Sequence, residues 1–308
     1  MKEKLIAVVG PTATGKSEIA VEIAARLNGE IISADSAQVY RGLDIGTAKI
    51  KREEQKGIRH HLLDIVGPET EYNIGRYQRD AKAAIDTVLS RGKIPILCGG
   101  SGLYVHAVLN ESHDLSDSPP NDPIKREELK KMEEERGEGT LYEMLKNKFP
   151  RRAEKIHRHD LQRIIRALEM ENDLEEFGGD PWSCPYAALI CGLNTERELL
   201  YQRIEKRVDR MFEDGLVAEV ASLLAMGYPK NGNALSALGY KEILPIFEGI
   251  YDEETAKKIL KKNTRHFAKR QITWFKRDPR IHWFEINDEN DKKNIVNEII
   301  MLEKNLFK

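Results

Sequence analysis

The chain has little of what would mark several large protein classes. Its 308 residues carry only Cys98, Cys184 and Cys191, too few for a disulfide framework and with no C-x-x-C spacing, so they read as reduced, mostly buried thiols and argue against a zinc site. No apolar run approaches the ~18 residues of a membrane span, and the segment Lys2 to Val9 is too short for a secretory leader. A cytoplasmic protein is expected. There is no excess charge of one sign, the formal net being -2, which argues against a protein that coats nucleic acid through its overall field. No internal repeat or low-complexity tract is visible. What remains is 40% hydrophobic residues, enough core for one large domain or two ordinary ones.

Against this plain background, Gly10-Pro11-Thr12-Ala13-Thr14-Gly15-Lys16-Ser17 fits G-x-x-x-x-G-K-[ST] directly after the apolar run Leu5 to Val9. Glycines let main-chain amides close around an oxyanion, and the helix from Glu18 to Leu27 presents its N-terminus. Lys16 adds a charge, and the Ser17 hydroxyl can ligate magnesium. Phosphate binding follows; the reaction does not, because kinases, nucleotide hydrolases and diphosphate-holding enzymes share such a cradle.

Strand and helix signals alternate through the first hundred residues: Leu5–Val9, Glu30–Ala34, a helix Tyr77–Arg91, and Ile94–Cys98 running into Gly99-Gly100-Ser101-Gly102. This predicts a P-loop NTPase-like α/β fold, a parallel sheet flanked by helices, with ligands at the carboxyl ends of the strands. Another strand, Ala187–Leu193, comes about ninety residues later. Between them Asp117 to Glu176 is polar and helical and reads as an inserted all-helical domain. The expected division is 1–114 for the first part of the core, 115–185 for the insert, and 186–308 for core completion with basic C-terminal helices. Helices are expected from Thr195 towards Asp214, from Leu216 to Met226 and around Gly239 to Phe247, while the tail Asp288–Lys308 reads as either strand or helix.

Asp35 follows the second strand and should emerge beside the cradle, where a carboxylate can be a general base or a magnesium partner; a turn-capping Asp is the plainer alternative. No apolar strand ends in the Asp of an ATPase, since Ile94–Cys98 ends in glycines. From Arg197 onward, Leu200, Ile204, Val208 and Met211 form an apolar stripe beside Arg203, Arg207 and Arg210. Such arginines can converge on one phosphate, or form a solvated face with Glu205 and Asp209. His60 and His61, adjacent in an extended segment, point to opposite sides and suit packing or a hydrogen bond to Asp64 better than a metal. Gln162, Arg163 and Arg166 share a helical side suited to phosphodiester contacts, with salt bridging as the alternative.

Between Lys257 and Arg277 lie nine Lys or Arg and no acid, interleaved with His266, Phe267, Trp274 and Phe275. On a nearly neutral protein this is a local polyanion footprint. Leu260, Phe267 and Trp274 recur at heptad spacing and are expected to pack inward, leaving Lys262, Arg265, Lys269 and Lys276 for solvent or nucleic acid.

Gly10–Ser17, Asp35–Lys49, His60–Asp64, Gly99–Tyr104, Gln162–Glu169, Arg203-Ile204 with Arg207-Val208-Asp209, Leu238–Glu242 and Lys269–Phe275 together resemble the bacterial tRNA dimethylallyltransferases, in order and from Gly10 to about Lys276. The resemblance implies transfer of a dimethylallyl group from dimethylallyl diphosphate to N6 of the adenosine 3′-adjacent to the anticodon, releasing diphosphate. It implies Asp35, Ser101, Lys16 and Arg207 as catalytic residues, with Gly10, Pro11, Thr12, Ala13, Thr14, Gly15, Lys16 and Ser17 on the diphosphate and Mg2+ at Ser17. Ser101 stands where the family usually carries threonine, so a hydroxyl is kept and a methyl lost. For tRNA, it implies Asp35, Ser36, Ala37, Gln38 and Ser101 near the base and Arg126 by the extruded nucleotide. Gln162, Arg163, Ile164, Ile165, Arg166, Lys269, Arg270, Gln271, Trp274 and Lys276 would hold the anticodon stem-loop. The partners implied are tRNA and dimethylallyl diphosphate, with the protein a monomer. A P-loop small-molecule kinase using ATP is the rival, but it gives the basic helix no task; a nucleotide-gated RNA-binding protein leaves Asp35 and Ser101 unexplained.

Overall fold

The computed structural model describes residues 2–67, 69–111, 122–170, 180 and 182–306. Two compact units emerge, Met1–His113 with Trp182–Lys308, and Asp114–Pro181. The first is built on a parallel sheet of six strands, β1 (Lys4–Val9), β2 (Gly29–Ser33), β3 (His60–His61), β4 (Ile94–Gly99), β5 (Ala187–Asn194) and β6 (His282–Glu285), ordered β3-β2-β4-β1-β5-β6. Strands in a parallel sheet are covered on both faces, so the central ones read as continuous apolar runs. In β1, Leu5, Ala7 and Val9 enter one core cluster while Ile6 and Val8 enter the other, the two-residue period of a strand.

Helices supply both covers. Ile19, Ala20, Ile23 and Ala24 of α1 (Lys16–Leu27) and Ile295, Val296 and Ile299 of α12 (Glu289–Leu306) fill one face. The ambiguous tail is therefore a helix preceded by the short strand β6. On the other face lie α2 (Ile74–Ser90), α3 (Gly102–Leu109), α8 (Arg197–Glu213), α9 (Leu216–Ala225), the short α10 (Leu244–Phe247) and α11 (Glu253–Phe275). The buried stripe of α8 is Leu200, Ile204, Val208 and Phe212; Phe212 takes the place expected for Met211, which is half-buried. Among the described residues no helix is long and apolar enough to cross a membrane.

The second unit contains α4 (Pro123–Arg136), α5 (Thr140–Lys148), α6 (Pro150–Lys155) and α7 (Leu161–Glu169) around its own core of Leu129, Leu141, Leu145, Phe149, Ile164, Ile165 and Leu168. Asp122 caps α4 by accepting from the amides of Ile124 and Lys125, with Pro123 at the first helical position. The expected start of the insert, residue 115, lies outside the described residues, as do 171–179; its expected end, residue 185, lies among them. Trp182 belongs to the core unit, where its carbonyl accepts from Arg280 Nη1 at 2.7 Å.

Candidate active site

The Gly10–Ser17 loop joins β1 to α1 at the carboxyl edge of the sheet. Gly10 has φ 142°, and a Cβ there would lie 2.3 Å from Leu193 O, so only glycine lets the loop pass β5. Thr14 Oγ1 and Lys16 Nζ both donate to Pro11 O, at 2.9 and 2.6 Å. Burial pushes the Lys16 ammonium down to about 8, Cys98 and Asp35 opposing the shift and Arg207 adding to it. Ser17 is exposed at the start of α1.

The second and fourth strands deliver the other side of the site. Ala34 N donates to Cys98 O at 2.8 Å and Ser101 N to Ala34 O at 3.1 Å, which fastens the turn after β2 to the turn after β4. Asp35 Oδ1 accepts from the amides of Ala37 and Gln38 at 2.9 and 3.3 Å, an Asx-type turn. Ser101 Oγ accepts from Ser36 N at 3.1 Å. The capping and the catalytic expectations for Asp35 therefore coexist: one oxygen shapes the turn while the charge acts on both Lys16 and Arg207.

Of Arg203, Arg207 and Arg210 on α8, one belongs here. Arg203 donates to the carbonyls of Ile286 and Asn287, strapping α8 to the chain after β6, and Arg210 is exposed. Burial lowers the Arg207 guanidinium from its usual range, with Asp35 opposing, and its Nη2 donates to Thr47 O at 3.3 Å. Gln38 Nε2 donates to the same carbonyl at 3.3 Å. Thr47 is held in turn by a residue that sequence reasoning missed. Glu219 on α9 accepts from the amides of Asp44, Ile45 and Gly46 and, at 2.7 Å, from Tyr240 Oη. Nothing local in the sequence pairs Glu219 with a loop 173 residues away.

Other expectations change. His61 Nε2 meets Glu30 at 2.8 Å and His60 Nδ1 meets Ile58 O at 2.9 Å; Asp64 is engaged by Lys49 instead. The inward face of α11 is Ala256, Leu260, Thr264, Ala268, Gln271 and Phe275, leaving Phe267 and Trp274 half-buried. Gln271 is 7% exposed, and both ends of its amide bond main-chain groups of the core. Trp274 packs on the main core, its indole N–H buried without a hydrogen-bond partner among the described residues. Lys257 and Lys261 pair with Asp209, Lys258 with Glu254 and Arg265 with Glu205. Lys262, Lys269, Arg270, Lys276 and Arg277 remain exposed, a basic strip on the outer face and end of α11.

In the helical unit, Ile164 and Ile165 are core residues, 1% and 4% exposed. Glu169 accepts from Arg126 Nε at 2.6 Å and from Arg166 Nη1 at 3.2 Å, and Arg163 pairs with Asp160. Burial raises Glu169, but the two guanidiniums outweigh it and leave the carboxyl below its usual range. Gln162 and Arg163 are exposed on α7.

No cluster of three or more His, Cys, Asp or Glu able to hold a metal occurs among the described residues. A cation held by one hydroxyl, with phosphate oxygens and water completing its shell, needs no such cluster, and the exposed Ser17 fits that donor set.

A parallel sheet with a phosphate loop, two half-buried cations and one carboxylate at its carboxyl edge defines a P-loop enzyme. The family model IPP transferase matches residues 38–278, and the chain belongs to that family. A tRNA dimethylallyltransferase of Carboxydothermus hydrogenoformans is 47% identical over 303 residues, 95% of each chain. The full-length tRNA isopentenylpyrophosphate transferase of Bacillus halodurans is 39% identical with a TM-score of 0.74, over 99% of this chain and 98% of that one. A eukaryotic dimethylallyltransferase, described as acting on tRNA, is 30% identical with a TM-score of 0.79, covering 93% of this chain and 74% of its own. The family and fold expected from the motifs are thus met, the protein is a transferase, and the kinase alternative is not favoured.

Proposed function

We propose that the protein transfers a dimethylallyl group from dimethylallyl diphosphate to N6 of the adenosine 3′-adjacent to the anticodon of tRNA. The observation that carries this reading is the gathering of two half-buried cations, Lys16 and Arg207, within the electrostatic reach of the carboxylate Asp35, in a chain of the IPP transferase family. The cradle binds the diphosphate as leaving group. N6 bonds to the allylic carbon as the carbon–oxygen bond breaks, and the electron pair departs on the diphosphate. Lys16 and Arg207 stabilise the charge that develops there. Asp35 orients the amine and takes its proton, while Ser101 and Gln38 line the approach of the base. Mg2+, held by Ser17 and phosphate oxygens, would supply further charge neutralisation to the leaving group.

A base stacked in an anticodon loop must be turned out to reach this edge. The exposed Lys269, Arg270 and Lys276 of the core unit, and Gln162, Arg163 and Arg166 of the helical unit with Arg126, are suited to the stem-loop phosphates. Affinity resting on such contacts falls steeply with salt. On this reading the protein works as a cytoplasmic monomer. Purified protein with Mg2+, dimethylallyl diphosphate and an unmodified tRNA bearing consecutive adenosines 3′ of its anticodon should yield a prenylated adenosine by nucleoside mass spectrometry. Absence of that nucleoside, with phosphate transfer from ATP to a small molecule instead, would replace the reading with a kinase.

A further inference from the structure

Gln271 sits at the crossing of the donor and acceptor halves of the site. Its Oε1 accepts from Thr12 N of the phosphate loop at 2.9 Å, and its Nε2 donates to Gly100 O, beside Ser101, at 2.9 Å. A Cβ on Gly100 would lie 2.3 Å from Nε2, so the glycine exists to admit this side chain. One turn earlier, Ala268 is fully buried against Leu200 and Ile204 of α8, with Ala13 of the phosphate loop and Ile272 packed at the same place. The carboxamide therefore stands on a rigid base. It is the only side chain among the described residues shown bonding to both glycine turns.

Resting on the transferase reading above, we propose that Gln271 is a positioning residue that sets the spacing between the diphosphate cradle and the Asp35–Ser101 side of the site. One end of its amide fixes the loop that holds the leaving group. The other fixes the turn that, through Ser101 N to Ala34 O and Ser36 N to Ser101 Oγ, carries the residues facing the acceptor amine. Each half keeps its own binding groups without Gln271; what depends on it is their alignment. Misplacement of reacting groups by about 1 Å costs on the order of 10²-fold in rate.

The test is single-turnover transfer at saturating substrates, with affinities for inorganic diphosphate and for tRNA measured separately and thermal melting as a check on folding. In Q271M, which keeps length but has neither donor nor acceptor, the transfer rate should fall about 10- to 100-fold while both affinities stay within about threefold. Q271E keeps the acceptor for Thr12 N but opposes Gly100 O when ionised, and regains a donor when protonated. Its rate relative to the parent enzyme should therefore recover as pH falls, which simple loosening of the fold would not produce. A parent-like rate in Q271M, a loss confined to one affinity, or a pH-independent deficit in Q271E overturns the proposal. A parent enzyme without prenyl transfer overturns the underlying function instead.

Discussion

Strand β2 has a carboxylate in its first turn of chain and another just beyond its end, and the protein surrounds the two in opposite ways. Glu30, 2% exposed, meets His61 Nε2 at 2.8 Å, Lys93 Nζ at 2.9 Å and Arg91 Nη1 at 3.2 Å. Burial raises its carboxyl, but the hydrogen bonds from His61 and Lys93 and their charges outweigh that and bring it to about 2. Arg91 and Lys93 keep 40% and 34% of their side chains exposed, so hydration of the cations is retained. At the far end Asp35 shares the site with Lys16 and Arg207, which have main-chain carbonyls as partners and no ion pair with a carboxylate among the described residues. One network is complete within the protein; the other holds surplus positive charge in a half-buried place, which a diphosphate would complete.

Removing charges at the two ends should therefore have opposite consequences. Lys16→Ala should lower kcat/KM for prenyl transfer by about 10³-fold, the scale of losing one charge-stabilising donor. Its melting temperature should stay or rise, because a cation disfavoured by burial is gone. A loss below tenfold in steady-state kinetics would break the contrast. Asp35→Ala should cost about 10²- to 10³-fold in turnover, as for a general base, with tRNA affinity retained in a filter-binding assay. An equal loss of tRNA affinity would make Asp35 a binding group alone.

Glu30→Ala should act on stability instead, destabilising the fold by about 1–2 kcal/mol, because the charge-assisted hydrogen bonds of a buried carboxylate are lost while Arg91 and Lys93 remain hydrated. Turnover per folded molecule should be unchanged. The folded pKa of about 2 lies below the usual 4.5, so this stabilisation is fully present above about 4.5 and lost as pH falls towards 2. Denaturant melts across that window should be flatter in the variant than in the parent.

How far the two ends could be read in advance depended on whether the information was local. The loop and Asp35 were legible because glycine spacing, a preceding strand and a following helix sit within a few residues of each other. The three- and four-residue spacing along α8 offered Arg203, Arg207 and Arg210 together, and only the chain after β6, whose carbonyls take Arg203, selects Arg207. That Gln271 faces inward was not legible because the inward face of α11 uses Ala256, Thr264 and Ala268, small or polar residues that give no apolar signal, whereas Phe267 and Trp274 do. Strand β6 escaped notice since only Phe284 of its four residues is buried. The basic strip was visible as composition, but which cations it leaves unpaired depended on Asp209 and Glu205 from another helix.

The two ends should also titrate differently. Lys16 binds an anion as ammonium, and burial brings it to about 8 in the ligand-free protein. Affinity for inorganic diphosphate should therefore fall by up to about tenfold per pH unit above 8, beyond the ligand's own titration. Calorimetry with Lys16→Ala isolates the effect, since that variant should lose this part of the slope. Stability takes the reverse sign: with the folded value below the usual 10.5, the unfolded chain holds more protons between 8 and 10.5. Lys16 thus contributes rising stability across that window.

The smallest effect should come from outside both networks. Glu219 organises Asp44–Gly46 through three main-chain amides, and the next residue, Thr47, supplies the carbonyl shared by Arg207 and Gln38. Glu219→Gln keeps one acceptor but turns an NH2 group towards main-chain N–H donors, loosening the loop without removing any group that meets substrate. A three- to fivefold drop in kcat/KM is expected, about 1 kcal/mol of lost orientation on the scale of one hydrogen bond. Because the proposed reaction gives Arg207 to the leaving group and Gln38 to the base, kcat should fall more than diphosphate affinity does. A change in diphosphate affinity alone would mean that the loop supports only Arg207, and that the acceptor side of the site is held independently of it.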